Sequence, residues 1–370
     1  PMLAAGVHTM NRFAFMIHPI EPQKDVARKF PLLGKLSPGV IDYFSRFFPP
    51  IRLSHIVGVC SEATGEEIEG WLLACPLTPK RMLEIPLTTA YKKVIQTGRL
   101  AERLGAQILG LGAFTAIVGD AGVTVSQRLS IPVTSGNSYT VALAVEASLL
   151  AARRMDIEPA RAVAAVVGAY GSTGRACVQL LARSIPQLVL VGRRLDRLQE
   201  IARQAELTGV RATTSTQLDA VRQADIVLTV TSSIAPIVRP EHLKPGAVVC
   251  DVARPRNVSR QVTEQRDDVL VIEGGVVGLP GEVDFGFDFG LLPGQAYACM
   301  AETMLLAIEG RFECYSIGRE IDLDRVDEIA QLARKHGFRL TAFRSFERVL
   351  TEAEIYRIRE RAQIRRRLAA

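Results

Sequence analysis

AVAAVVGAYGSTGRACVQLLARSIPQLVLVGRR (residues 162–194) opens on a continuous apolar run, the mark of a strand buried on both faces. Gly168, Gly171 and Gly174 follow at three-residue spacing and lead into a helical pattern. A second apolar run, LVLVG (188–192), comes after it. Glycine at such a turn adopts φ values closed to other residues and lets the backbone approach a pyrophosphate. The helix start, at Ser172 and Thr173, offers free N–H groups and a partial positive charge. A glycine triplet alone is a weak signal; strand, turn, helix and second strand in this order make it a dinucleotide site. The second strand ends in Gly192, Arg193 and Arg194, where an NAD enzyme would carry an acidic residue for the ribose 2′-hydroxyl. A guanidinium can make charge-assisted bonds to a 2′-phosphate that a carboxylate would repel. NADPH is therefore the expected cofactor, with Arg193 the first candidate, Arg194 beside it, and Thr231 completing the set.

Outward from this stretch the rhythm persists. Helices are expected at 173–184 and 195–206, and strands at 224–233, 247–253 and 268–275. Alternation of this length predicts an α/β fold with a Rossmann-type, doubly wound parallel sheet and right-handed crossovers. Before it, strands are expected at 55–60, 68–76 and 106–114, with a helix at 88–105. The stretch 131–154 reads as a loop of small polar residues and then a long helix, with Ser138 as candidate N-cap. The expected organisation is an α/β substrate domain at 10–155, the NADP-binding domain at 156–285, helices at 286–345 that pack back over the cleft, and a basic helical tail at 346–370.

Composition narrows the function. A chain of 370 residues that is 48% hydrophobic can bury two cores. No run of about 18 apolar residues suggests a spanning helix. The start, PMLAAGVHTMNRFAF, lacks the basic-then-apolar layout of a signal peptide, and the first nine residues are set aside from fold reasoning. Cysteines 60, 75, 177, 250, 299 and 314 form no C-x-x-C pair and have no histidine at ligand spacing. That argues against a metal site or a disulfide framework and suits the cytoplasm. The net charge of +6 is concentrated in the tail YRIRERAQIRRRLAA (356–370), read as a solvated, fraying helix end rather than a contact for an acidic partner. So weak a basic balance argues against nucleic-acid binding, and any membrane contact would be peripheral at most.

A further set of stretches carries a resemblance: LGAFTAI (111–117), TSGNSYT (134–140), VVGAYGSTGRACVQLL (166–181), EGGVV (273–277), YACMAETMLLAIEG (297–310) and RKHGF (334–338). In this order, over about residues 12–340, the chain resembles the cyanobacterial long-chain acyl-[acyl-carrier-protein] reductases, which form fatty aldehydes. The resemblance implies NADPH-dependent reduction of an acyl thioester through a cysteine-bound acyl group. The matching position is Cys299. It also implies acyl carrier protein or acyl-CoA as donor and an aldehyde-consuming enzyme downstream. The first residues and the arginine-rich tail beyond about 345 lie outside it.

By its residues alone Cys299 reads as core or as nucleophile, since free cysteine is among the most buried residues. A thiolate suits transthioesterification, and a helix start would favour it; Cys299 is expected about one turn into its helix. Glu302 and Thr303 share its face, and a charged Glu302 would raise the thiol pKa. His18, in FMIHPI, is the candidate base. Thr134, Gly136 and Asn137 are candidates to bind the acyl oxygen or the nicotinamide carboxamide, and Tyr297 is a further candidate for the substrate site. Three rival readings stay open. A glutamyl-tRNA-reductase-like enzyme would need Cys60 or Cys75 as nucleophile. A shikimate-dehydrogenase-like enzyme would need no covalent step, and a non-catalytic NADPH-binding protein would make no product.

Overall fold

The computed structural model describes residues 10–369, so the nine residues set aside above lie outside it. The first part of the chain forms a five-stranded sheet in the order β2-β3-β1-β4-β5. Its strands are β1 Asn11–Ile17, β2 Ile51–Cys60, β3 Glu67–Ala74, β4 Ile108–Leu111 and β5 Val133–Thr134. The inner pairs are parallel, and β2 runs antiparallel along β3. Side chains alternate faces along a strand. Thus Ala14 and Met16 pack under the Leu87–Arg103 helix with Val94, while Phe13 and Phe15 meet Met304 and Leu305 of the Ala298–Ile308 helix. The C-terminal part of the chain therefore closes the far face of the N-terminal sheet. The Ala298–Ile308 helix is buried at almost every position, which accounts for a sequence apolar nearly all round.

The second sheet is wholly parallel and has the order β11-β10-β9-β6-β7-β8. Its strands are β6 Val163–Val167, β7 Gln187–Val191, β8 Arg211–Ser215, β9 Ile226–Thr229, β10 Val248–Asp251 and β11 Leu270–Glu273. This is the doubly wound sheet expected, and its strand order reverses at β6, where such folds open a ligand crevice. β8 was not expected. It is an edge strand, RATTS, with no buried residue, so it shows neither an apolar run nor a clean alternation.

From β11 the chain crosses Gly274–Gly275 into β12 Val276–Gly278, which pairs antiparallel with β13 Gln295–Tyr297 and β14 Arg339–Leu340. The Ala298–Ile308 helix follows β13 directly. The tail needs a correction. The Glu352–Ala369 helix buries Ile355 and Ala362 in the core beneath the parallel sheet. Arg366 donates to the carbonyls of Pro245 and Gly246, and Arg365 pairs with Asp267 at 2.7 Å. Its positive charge, read from sequence as solvated, is partly spent on holding the helix to the nucleotide domain. No described helix is long and apolar enough to cross a membrane.

Candidate active site

The nucleotide edge is built from backbone. Gly168 ends β6 with φ +94°, and a Cβ there would press on Thr231 and the Val230 carbonyl at 2.9–3.0 Å. A Cβ at Gly174 would sit 2.2 Å from the Gly168 carbonyl oxygen, so this glycine seats the helix against the turn. Gly171 has only the Gly168 carbonyl near its missing Cβ, at 3.4 Å, and is the N-cap of the Ser172–Leu181 helix. Its first turn, with Ser172 and Thr173, leaves amides without helical acceptors beside this bare backbone. A diphosphate fits that cradle. At the end of β7 the Tyr170 ring lies over Gly192, within 2.7 Å of where a Cβ would stand. Arg193 and Arg194 are both exposed, and Arg194 is held by Asp196 at 2.8 Å. Arg193 makes no ion pair with any described residue.

Thr231 is fixed just past β9. Its N–H and hydroxyl both donate to the Asn257 Oδ1, at 3.0 and 2.8 Å. The backbone of Asn257 in turn donates to the buried Asp251 carboxylate at the end of β10, at 3.0 Å. Neither Asn257 nor Asp251 was singled out from sequence, because their contact closes a loop that only the fold brings together.

Cys299 is the second residue of its helix, nearer the N-terminus than expected from sequence, and is half-buried. Gly136, with φ +72°, lies against it: a Cβ there would stand 2.1 Å from the Cα of Cys299. The 134–140 loop and the Cys299 turn are thus locked face to face. Glu302 is the lock. Its carboxylate accepts from the Thr134 hydroxyl at 2.5 Å and from the Tyr139 N–H at 2.9 Å. Thr134 Oγ1 also accepts from the Ser316 N–H at 3.2 Å. The N-cap expected at Ser138 is Gly136, two residues earlier, where the left-handed glycine turns the chain into a helix that starts at Asn137. Burial pushes the Glu302 carboxyl up. Burial, then Glu302, push the Cys299 thiol up to about 12, against the pull of the helix amides and of Arg254.

Arg254 is the residue sequence reading missed. It follows β10 in VARPR, and its guanidinium lies 5.6 Å from the Tyr297 ring and 3.3 Å from the Glu273 carboxylate. It thus carries a cation from the nucleotide domain to Tyr297, the N-cap of the Cys299 helix. An arginine beside a proline in a loop has no sequence signature of its own.

His18 has other work. Its Nε2 accepts the Phe114 N–H at 2.9 Å and its Nδ1 faces the Pro19 carbonyl at 3.3 Å. The ring therefore carries its proton on Nδ1, and burial lowers its pKa to about 4. Nε2 ties the end of β1 to the turn after β4, Nδ1 faces only the neighbouring Pro19, and neither is bonded to Cys299. Cys75 lies in the core beyond β3, where burial raises its thiol to about 11. Cys60 is half-buried at the end of β2, its thiol turned to the Gly65 carbonyl at 3.5 Å. The described residues hold no cluster of histidine, cysteine and acidic groups fit for a metal.

Residues 150–273 match the family model described as Shikimate / quinate 5-dehydrogenase. The chain is 36% identical over 283 residues to the aminotransferase PigE of Serratia sp. (strain ATCC 39006), a match covering 75% of this chain and 33% of that protein. The chain thus spans about a third of that relative's length. It is 29% identical over 338 residues to the long-chain acyl-[acyl-carrier-protein] reductase of Synechococcus elongatus (strain ATCC 33912 / PCC 7942 / FACHB-805), covering 86% of this chain and 95% of that one. Over 182 residues it is 28% identical to the glutamyl-tRNA reductase of Thermosynechococcus vestitus (strain NIES-2133 / IAM M-273 / BP-1), covering 46% and 42% of the two chains. With the glycine turn, these likenesses support an NAD(P)-dependent oxidoreductase.

Proposed function

We propose that the protein reduces a long-chain fatty acyl thioester, carried by acyl carrier protein or coenzyme A, to a free aldehyde with NADPH. The observation that carries this reading is the position of Cys299. It opens a helix two residues beyond β13, whose partner β12 continues from β11, so the thiol lies near the carboxyl edge of the nucleotide sheet. That edge is where such sheets bind their ligands. The likeness to the Synechococcus reductase over 95% of its length supports the same chemistry. The aminotransferase name belongs to a relative of which the chain matches a third, and it is not carried over.

In this reading Gly168, Gly171, Ser172, Thr173 and Gly174 hold the pyrophosphate, Arg193 and Arg194 the 2′-phosphate, and Thr231 borders the nicotinamide half. Thr134, Gly136, Asn137 and Tyr297 border the acyl group. The Cys299 sulfur loses its proton and attacks the acyl carbon. The bond from that carbon to the carrier sulfur breaks, and the carrier thiol leaves with a proton. A bound NADPH would supply the hydride for the acyl-cysteine carbon. Negative charge then falls on the acyl oxygen, near the Arg254 cation and the free amides at the start of the Cys299 helix. Proton uptake and cleavage of the carbon–sulfur bond release the aldehyde and restore the thiol.

The test is direct. Protein is incubated with NADPH and long-chain acyl-carrier protein or acyl-CoA, and aldehyde is measured by gas chromatography. Intact masses of wild type, Cys299→Ser and Cys75→Ser are taken after acyl donor without NADPH. An adduct on wild type and Cys75→Ser only is expected. A thioester adduct persisting on Cys299→Ser, with peptide mapping to exclude an ester on the new serine, overturns the reading.

A further inference from the structure

The Pro38–Ser45 helix is built inside out. It buries Ile41, Asp42 and Ser45, and Asp42 is pinned beneath it by Arg81 and by the Thr78 hydroxyl. Its other face turns Val40, Tyr43 and Phe44 to solvent, and Phe47 and Phe48 follow. Eight of the twenty exposed large apolar side chains among the described residues lie within 30–48, so this is one patch and not scatter. The rings of Tyr43, Phe44 and Phe47 form a single cluster, with centroids 5.3–6.3 Å apart.

Cations surround it. Arg46 lies over the Tyr43 and Phe47 rings at 4.4 and 4.6 Å, and its buried Nε has no hydrogen-bond partner. An open groove of about 460 Å³ runs beside the cluster, lined by Phe47, Pro49 and Pro50 and by Lys93, Arg99 and Arg103 of the Leu87–Arg103 helix. Among the described residues, none of Arg46, Lys93, Arg99 and Arg103 has a carboxylate partner within ion-pair distance. Exposed aromatics ringed by unpaired cations are the composition of a surface that lies in the interface of an anionic bilayer. An acidic protein would pair with the arginines but would not require side chains as protruding as Leu32 and Phe47, which are 78% and 62% exposed.

We propose that residues 30–50, with the basic face of the Leu87–Arg103 helix, dock the protein peripherally on an anionic lipid surface. The aromatic side chains enter the headgroup layer, and Arg46, Arg99 and Arg103 meet lipid phosphates. This does not depend on the reaction proposed above.

The experiment is vesicle flotation of the full chain with phosphatidylcholine alone and with phosphatidylcholine mixed with phosphatidylglycerol. Wild type is expected to float with the anionic vesicles only, and less at raised salt. Phe44→Ser with Phe47→Ser, and separately Arg99→Glu with Arg103→Glu, should each lower the bound-to-free ratio about tenfold or more. Thermal melting checks that both variants fold, and the charge pair leaves the aromatic face intact should the first not fold. No flotation of wild type, or equal flotation of both variants, overturns the proposal. It also falls if the aromatic variant changes only self-association in light scattering, which would assign the surface to a second copy. Loss only of binding to an acidic protein such as acyl carrier protein would likewise reassign it.

Discussion

Gly136 and Cys299 share one volume: a Cβ on the glycine would stand 2.1 Å from the cysteine Cα. No side chain fits between the 134–140 loop and the first turn of the Cys299 helix, so each fixes where the other lies. Gly136→Ala adds that clash to a left-handed backbone at φ +72°, which alone costs about 1–2 kcal/mol. We expect acyl transfer to Cys299, read by intact mass, to fall more than about a hundredfold, since small misplacements are costly in catalysis. NADPH affinity, read by fluorescence titration, should be unchanged. Full acylation of the variant would show that the contact does not position the thiol.

The thiol itself gives a pH signature. Burial above all holds Cys299 up at about 12, and only the thiolate is alkylated. Iodoacetamide labelling of Cys299, followed by peptide mass, should rise about tenfold per pH unit between roughly pH 7 and pH 10, without a plateau. Arg254→Met removes a cation that favours the thiolate, so labelling at a given pH should slow about three- to tenfold. Levelling near pH 8 would mean an ordinary thiol and an idle Arg254.

The two arginines after β7 differ in what they already hold. Arg194 is paired with Asp196 at 2.8 Å, whereas Arg193 makes no ion pair with any described residue. Arg193→Ala should weaken NADPH binding about tenfold to a hundredfold, the loss of one charge-assisted hydrogen bond, and leave NADH binding alone. Arg194→Ala should do less. Equal losses for NADPH and NADH would remove the 2′-phosphate from the account.

Glu302 links the site to stability. Its folded-state pKa is raised by burial, so above the ordinary carboxyl range the folded chain keeps a proton that the unfolded chain has lost. Stability at this group therefore falls as pH rises. Glu302→Gln lacks the titration, and urea unfolding should show the variant gaining on wild type as pH rises above the ordinary carboxyl range. Glu302→Ala leaves the Thr134 hydroxyl and the Tyr139 N–H without their acceptor and opens a cavity, at a cost of roughly 2–4 kcal/mol at any pH. A pH-independent difference for the glutamine variant would show Glu302 ionised in the fold.

The nucleotide sheet was legible because each of its signals is local. An apolar run, a glycine turn and a helix start lie within the thirty or so residues after Ala162, and hydrogen bonding along one short segment decides them. Cys299 was legible as a candidate, and Glu302 as its neighbour, because helical spacing puts residues three apart on one face. The edge strand Arg211–Ser215 escaped because it buries nothing. The tail was misjudged because charge in a sequence does not say which arginines will find a carbonyl.

What the chain's order of residues determined by itself was the α/β class and the dinucleotide turn, with Cys299 left as a candidate. Only the tertiary structure decided that Gly136 abuts Cys299, that Glu302 joins Thr134 to Tyr139, that Arg254 reaches Tyr297, and that His18 is bonded at both nitrogens. Most of these partners stand far apart along the chain, up to 168 residues for Thr134 and Glu302. Local pattern carries no information on such pairs, because their contact is set by how two sheets and the returning helices pack.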